Sequence, residues 1–226
     1  DNLADHFFVT EQSGIDNLLE EGKKAADIYF VGNTMIDALV AYDQVIAENT
    51  IMTKLDVTER AFALVTIHRP SNVDNKSALE QNIHLLQNIA IKYPVVFPVH
   101  PRTKNKLEQF QLLSLLTSNP NIRICEPLDY FAFQKLIASC KFIVTDSGGI
   151  QEEATFRKKP CITIRPNTER PSTITLGTNT LVEADISKIN QLITDIEKHN
   201  YKEGNIPPLW DGKATARIFQ VLDKLR

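Results

Sequence analysis

No uninterrupted apolar run of about 18 residues occurs in this chain of 226, so no segment reads as a membrane-spanning helix. Cysteine is scarce. Cys125, Cys140 and Cys161 share no metal-ligand spacing, and two of them flank or begin apolar strands, which suits reduced, mostly buried thiols of a cytoplasmic protein. Positive charge is not in excess: 25 Lys and Arg against 28 Asp and Glu give a net charge of -3. That balance argues against a nucleic-acid surface and leaves any anion site to local clustering. Glycine is sparse, at 8 residues, and forms neither a Gly-Lys-Ser/Thr P-loop nor a complete Gly-x-Gly-x-x-Gly, which disfavours kinase, ATPase and NAD dehydrogenase chemistry. No signal peptide is read at Asp1, and no internal repeat or low-complexity tract is present.

What is present is an alternation of short apolar runs with helical periods. Phe7 to Thr10 and Ile28 to Val31 read as strands, with a capping box at Ser13 and Asp16 opening a helix between them. Two strands cannot bury both faces of a sheet, so residues 1–47 look like the tail of a Rossmann-like domain, with apolar surface left exposed or covered by another chain. Residues 48–60 are polar and lack a period, as a linker would. From Ala61 the spacing predicts strands at Ala61 to Ile67, Val95 to Val99, Ile122 to Cys125, Phe142 to Thr145, Cys161 to Ile164 and Thr180 to Val182. Helical stripes separate them, predicting an α/β doubly wound parallel sheet over residues 61–208; residues 209–226 end in an amphipathic helix.

The organising stretch is Lys141 to Arg170, KFIVTDSGGIQEEATFRKKPCITIRPNTER. A buried strand runs into Ser147, Gly148 and Gly149 and then a helix start, whose free N–H groups and positive dipole end suit a phosphate. Glu152 and Glu153 admit two readings: first-turn carboxylates that complement the dipole, or an acceptor for ribose hydroxyls. Ligands in such folds bind at the carboxyl ends of the strands, and that edge is rich in cations: His68, Arg69, His100, Arg102, Arg165 and Arg170. Their convergence points to a phosphorylated ligand, although each could instead be solvated or paired with a neighbour such as Glu169. The aromatic start at Tyr130 to Phe133 is a helix with a hydrophobic face or a surface for a base. Ser147 is not set in the Gly-x-Ser-x-Gly elbow of a hydrolase.

Thr145 to Ala154 (TDSGGIQEEA), Thr168-Glu169-Arg170-Pro171 and Gly177-Thr178 resemble the signature of the non-hydrolysing UDP-N-acetylglucosamine 2-epimerases. Thr66-Ile67-His68-Arg69-Pro70, Val99-His100-Pro101-Arg102 and Asp211-Gly212-Lys213-Ala214 are similar to that family too. The resemblance implies the C-terminal half of a two-domain fold of the B glycosyltransferase type, with most of the N-terminal domain absent. It implies epimerisation of UDP-N-acetylglucosamine at C2 by elimination and return of UDP, with no NAD or metal cofactor and a homodimer as the intact enzyme. Carried over, Ser147, Gly148 and Gly149 would hold the diphosphate, Glu153 the ribose hydroxyls and Arg170 a phosphate. Leu128 and Phe133 would frame the uracil, Arg69 would join the substrate-binding set, and His68 would be the catalytic side chain. Leu128 departs from the polar residue some members have, which leaves the base edge to the main chain. The family's acidic groups lie upstream, so the chain alone is expected to bind UDP without turnover. A B-type glycosyltransferase and a non-catalytic UDP-sugar-binding module are the alternatives.

Overall fold

The computed structural model describes residues 2–183 and 185–225. Strands β1 (Phe7–Val9) and β2 (Ile28–Phe30) pair in parallel, with α1 (Gln12–Glu20) between them in sequence. Helices α2 (Thr34–Ala41), α3 (Asp43–Glu48) and α4 (Ile51–Lys54) lead to the main sheet. Its elements are β3 (Ala63–Thr66), α5 (Pro70–Val73), α6 (Lys76–Ala90), β4 (Val95–Pro98), α7 (Pro101–Gln109), α8 (Leu113–Thr117), β5 (Ile122–Cys125) and α9 (Tyr130–Ser139). Then follow β6 (Phe142–Thr145), α10 (Gly148–Phe156), β7 (Cys161–Ile164), α11 (Pro171–Thr175), β8 (Asn179–Val182), α12 (Ile186–Glu197) and the terminal α13 (Ala214–Lys224).

The six strands of the main sheet are all parallel and run in the order β5-β4-β3-β6-β7-β8. Period-two alternation explains why both faces are covered. Ala63, Val65, Phe142 and Val144 enter one core with α6 and α12, whereas Leu64 and Ile143 enter the other with α9 and α10. Strands apolar on both faces need helices on both, which is the doubly wound arrangement expected. Short polar side chains start the helices by accepting from free N–H groups: Asn75 for α6, Asp129 for α9 and Asp185 for α12.

One local expectation is corrected. Ser13 does not open α1; the helix begins at Gln12 with Glu11 as its cap position, and Ser13 Oγ turns back to donate to Glu11 Oε1 (2.7 Å). Glu11 is tied at the same time to α11, accepting from the Ser172 N–H, which fixes the entry two residues earlier. Within the polar stretch 48–60 lies α4, and Ile51, Met52, Leu55 and Val57 pack on the second core. Those residues are too few to display a period, but burial orders them.

The N-terminal segment is clasped from the far end of the chain. Trp210 is buried among Ile36, Leu39 and Ile46, and its indole N–H donates to the Thr10 carbonyl (2.9 Å). Asp37 accepts from the N–H groups of Ala214 and Thr215 at the start of α13. Apolar side chains nevertheless stay in the open on α13, with Phe219 62% exposed beside Leu222 and Leu225. Among the described residues no helix is long and apolar enough to cross a membrane. Cys140 and Cys161 are buried, and desolvation pushes both thiols up to about 12.

Candidate functional site

The strand order reverses between β3 and β6: the chain winds outward through β4 and β5 on one side and through β6, β7 and β8 on the other. The loops leaving these two central strands diverge, so a crevice opens at their carboxyl ends. The register Thr66↔Thr145 puts the two ends side by side, and the two hydroxyls lie 2.7 Å apart. One step further, Asp146 meets the start of the loop that carries His68.

Asp146 organises this edge. It is fully buried, and its carboxylate accepts from the His68 N–H (2.9 Å), the Arg69 N–H (2.8 Å) and the Asn72 side-chain amide (2.9 Å). His68 Nδ1 lies 2.8 Å from its Oδ1. Burial alone would raise this carboxyl, but the contacts from His68, Asn72 and Arg69 outweigh it and hold the group below its ordinary range. With Nδ1 committed to Asp146, Nε2 is the ring nitrogen left for a ligand, the orientation by carboxylate that acid-base histidines use. His100 stands beside it, the ring centroids 5.2 Å apart, and accepts the Arg102 N–H on its own Nδ1 as the cap of α7.

A cleft of about 180 Å³ lies in front of these residues. Among the residues that line it are His68, Leu128, Phe133 and Ser147, so four positions singled out in the sequence meet on one surface. Gly148 and Gly149 form the first turn of α10 directly after Ser147, the cap position, whose side chain makes no capping bond. Neither glycine has positive φ, so neither serves an unusual bend, and at Gly149 an added Cβ would stand 3.2 Å from Met35 Cε. A Cβ on Gly148 would meet nothing within 4 Å, which leaves the helix N-terminus open to an approaching anion.

Glu153 follows one turn on, only 7% exposed. Burial pushes its carboxyl up to about 7, the neighbouring Glu152 adds to the rise, and the Gln134 amide and Arg157 oppose it. Arg170 lies at the entry to α11, 40% exposed at its side chain, with Nε 3.1 Å from Glu152 Oε1. Arg69 packs back on the loop, its Nε donating to the Asp146 carbonyl (3.3 Å). Two cations expected at the edge are otherwise engaged: Arg102 pairs with Asp74, and Arg165 makes a two-pronged pair with Glu169. Among the described residues, the cations of this edge without a two-pronged carboxylate pair are His68, His100, Arg69 and Arg170. Among the described residues no His, Cys, Asp and Glu side chains gather as a metal cluster.

The family model described as UDP-N-acetylglucosamine 2-epimerase matches residues 1–223. The chain belongs to the UDP-N-acetylglucosamine 2-epimerase family. A relative of that name from Methanocaldococcus jannaschii is 36% identical over 229 residues, spanning 98% of this chain and 62% of its own length. This chain thus spans about three-fifths of the curated relatives it matches. The crystal structure of the Methanocaldococcus jannaschii UDP-GlcNAc 2-epimerase in complex with UDP-GlcNAc and UDP superposes with a TM-score of 0.87, covering 99% of this chain and 62% of that one at 36% identity. The Neisseria meningitidis enzyme bound to UDP-GlcNAc gives 0.82 at 28% identity, over 99% of this chain and 62% of that one. These epimerase-family neighbours have a fold like that of the B-type glycosyltransferases.

In the sequence Asp146 reads, with Thr145 and Ser147, only as a turn- or cap-favouring residue that ends the strand, and its organising role is not visible there. The available signal was a carboxylate at the end of a buried central strand, where an unpaired charge would be costly, so partners had to exist.

Proposed function

We propose that this chain carries the UDP-binding half of an enzyme that interconverts UDP-N-acetylglucosamine and UDP-N-acetylmannosamine. The observation that carries the proposal is the meeting of an Asp146-held His68 with the open Ser147–Gly149 helix start at the strand-order reversal. In this reading residues 61–208 form the nucleotide domain. The diphosphate sits on the N–H groups of the Ser147–Gly149 turn, with Arg170 and Arg69 supplying positive charge. Leu128 and Phe133 frame the uracil, and Glu153 accepts from the ribose hydroxyls.

Inversion at C2 requires that a proton leave one face and return to the other while the C1–O bond to UDP breaks and re-forms. The departing diphosphate gathers negative charge, which the α10 N-terminus, Arg170 and His68 are placed to stabilise. His68 serves as the catalytic side chain of this half. The remaining acid-base groups are assigned to the part of the longer relatives that this chain does not span, so the chain alone binds UDP and turns over little or not at all. The intact enzyme is expected to be a cytoplasmic homodimer.

Proton NMR with UDP-N-acetylglucosamine in D2O tests this directly. Saturation transfer to uracil and ribose without exchange at sugar C2 is the expected result. Exchange with formation of the manno epimer would place the acid-base pair in this chain, and absence of any transfer would remove the nucleotide reading. Transfer of the sugar to an added acceptor would favour a glycosyltransferase.

A further inference from the structure

The Gly32-Asn33-Thr34-Met35 stretch lies far from the nucleotide edge in sequence, yet it touches that edge directly. Gly32 has φ 89°, and a Cβ there would collide with the Leu209 carbonyl, so the chain is pinned before it enters α2. Asn33 is 3% exposed and uses both ends of its amide: Oδ1 accepts the Met35 N–H that starts α2, and Nδ2 donates to Glu152 Oε1 (2.9 Å) on α10. Glu152 is 2% exposed, and its Oε2 has no hydrogen-bond partner among the described residues. Arg170 Nε lies beside the oxygen that Asn33 holds, an ion pair without an aligned hydrogen bond. Met35 Cε would stand 3.2 Å from a Cβ on Gly149.

We infer that Asn33 is a positioning residue for the nucleotide turn: its amide holds Glu152, and through it Arg170 and the first turn of α10, in the arrangement that receives a diphosphate. This rests on the UDP reading above. An amide suits the place because it can accept at the helix start and donate to a carboxylate at once. Aspartate would keep the first contact and turn the second into a meeting of two carboxylates; serine would keep the first and be too short for the second.

The groups facing Glu152 set the response to pH. Burial raises the Glu152 carboxyl above its ordinary range; Arg170 and the Asn33 amide oppose the rise, Glu11 ahead of α1 adds to it, and Glu153 follows on the same helix. Two buried carboxylates in contact share a proton readily at mildly acidic pH, and the shared proton restores a hydrogen bond.

The test measures the UDP dissociation constant by calorimetry and the amide resonances of Gly148 and Gly149 without ligand, at pH 6 and pH 8. The proteins are the wild-type chain, Asn33→Asp, Asn33→Ser and the swapped pair Asn33→Asp with Glu152→Gln. At pH 8, Asn33→Asp should weaken UDP on the order of tenfold and shift both glycine amides, the scale of coupling inside one hydrogen-bonded network. At pH 6, and in the swapped pair at both pH values, affinity should return to within about twofold of wild type. Asn33→Ser should be weakened at both pH values. Wild-type-like affinity and glycine resonances in Asn33→Asp and Asn33→Ser would overturn the proposal, as would a defect in Asn33→Asp that neither acid nor the swapped pair relieves. If the wild-type chain fails to bind UDP, the nucleotide reading falls, and the glycine amides still report whether Asn33 governs the turn.

Discussion

Replacing Glu153 with glutamine isolates one buried proton. Burial raises this carboxyl from an ordinary 4.5 to about 7, and the residue is only 7% exposed, so little solvent screening reduces the effect. A folded-state value above the unfolded one means that the native protein binds more protons than the unfolded chain between these limits, so stability falls as pH rises through them. At about 1.36 kcal/mol per pKa unit the loss is roughly 3 kcal/mol between pH 4.5 and pH 7.5. Glu153→Gln removes this slope: the variant should match wild type near pH 5 and exceed it by up to about 3 kcal/mol near pH 8. Urea unfolding across that range reads the difference between the two proteins. Asp146, whose carboxyl is held low, lies outside the window, because its contribution is lost only as pH falls below about 4. The Glu153 carboxylate is the one assigned to the ribose hydroxyls, so UDP binding near pH 6 should release a proton from wild type and none from Glu153→Gln. Parallel urea profiles for the two proteins would refute the reasoning.

Asp146→Asn presents an amide to the donors that the carboxylate now satisfies; unfolding should become easier by about 2–4 kcal/mol, and the His68 ring resonances should shift in NMR. Gly148→Ala meets no protein atom and gains helix propensity, so thermal stability should hold or rise by up to about 1 kcal/mol while calorimetry shows UDP affinity falling, because the new methyl stands where the diphosphate approaches. Gly32→Ala combines a left-handed φ with collision against the Leu209 carbonyl and should cost several kcal/mol in urea unfolding, on the order of 3.

Strands of the main sheet were legible because each is built around a short apolar, often β-branched run that meets a core, even where a polar side chain such as Arg123, Thr163 or Asn179 interrupts it. The position of the cleft was legible for the same reason: His68 and Ser147 each follow an apolar strand, and the strand ends mark the binding edge. What could not be read were contacts between distant segments. Asp146 looked like a turn residue because its partners lie 74 to 78 positions away, and Asn33 finds Glu152 across 119. Charge pairing misled in a related way, since Arg102 reaches Asp74 across 28 positions and so leaves the cationic edge. Local propensity failed at α1, where Ser13 offered the better cap chemistry and Glu11 took the position because it is anchored to α11. Four helical residues at Ile51–Lys54 are ordered by burial against the second core rather than by any period of their own.

The central claim is that the Ser147–Gly149 turn at the reversal of the sheet is a diphosphate seat. Titration of the isotope-labelled chain with UDP, followed through the amide resonances of Gly148 and Gly149, tests it most directly. The account predicts saturable shifts of both amides, accompanied by His68, with the Gly149 shift in Gly148→Ala saturating only at higher UDP concentration. Shifts confined to other parts of the molecule, or none with UDP in the millimolar range, would contradict it.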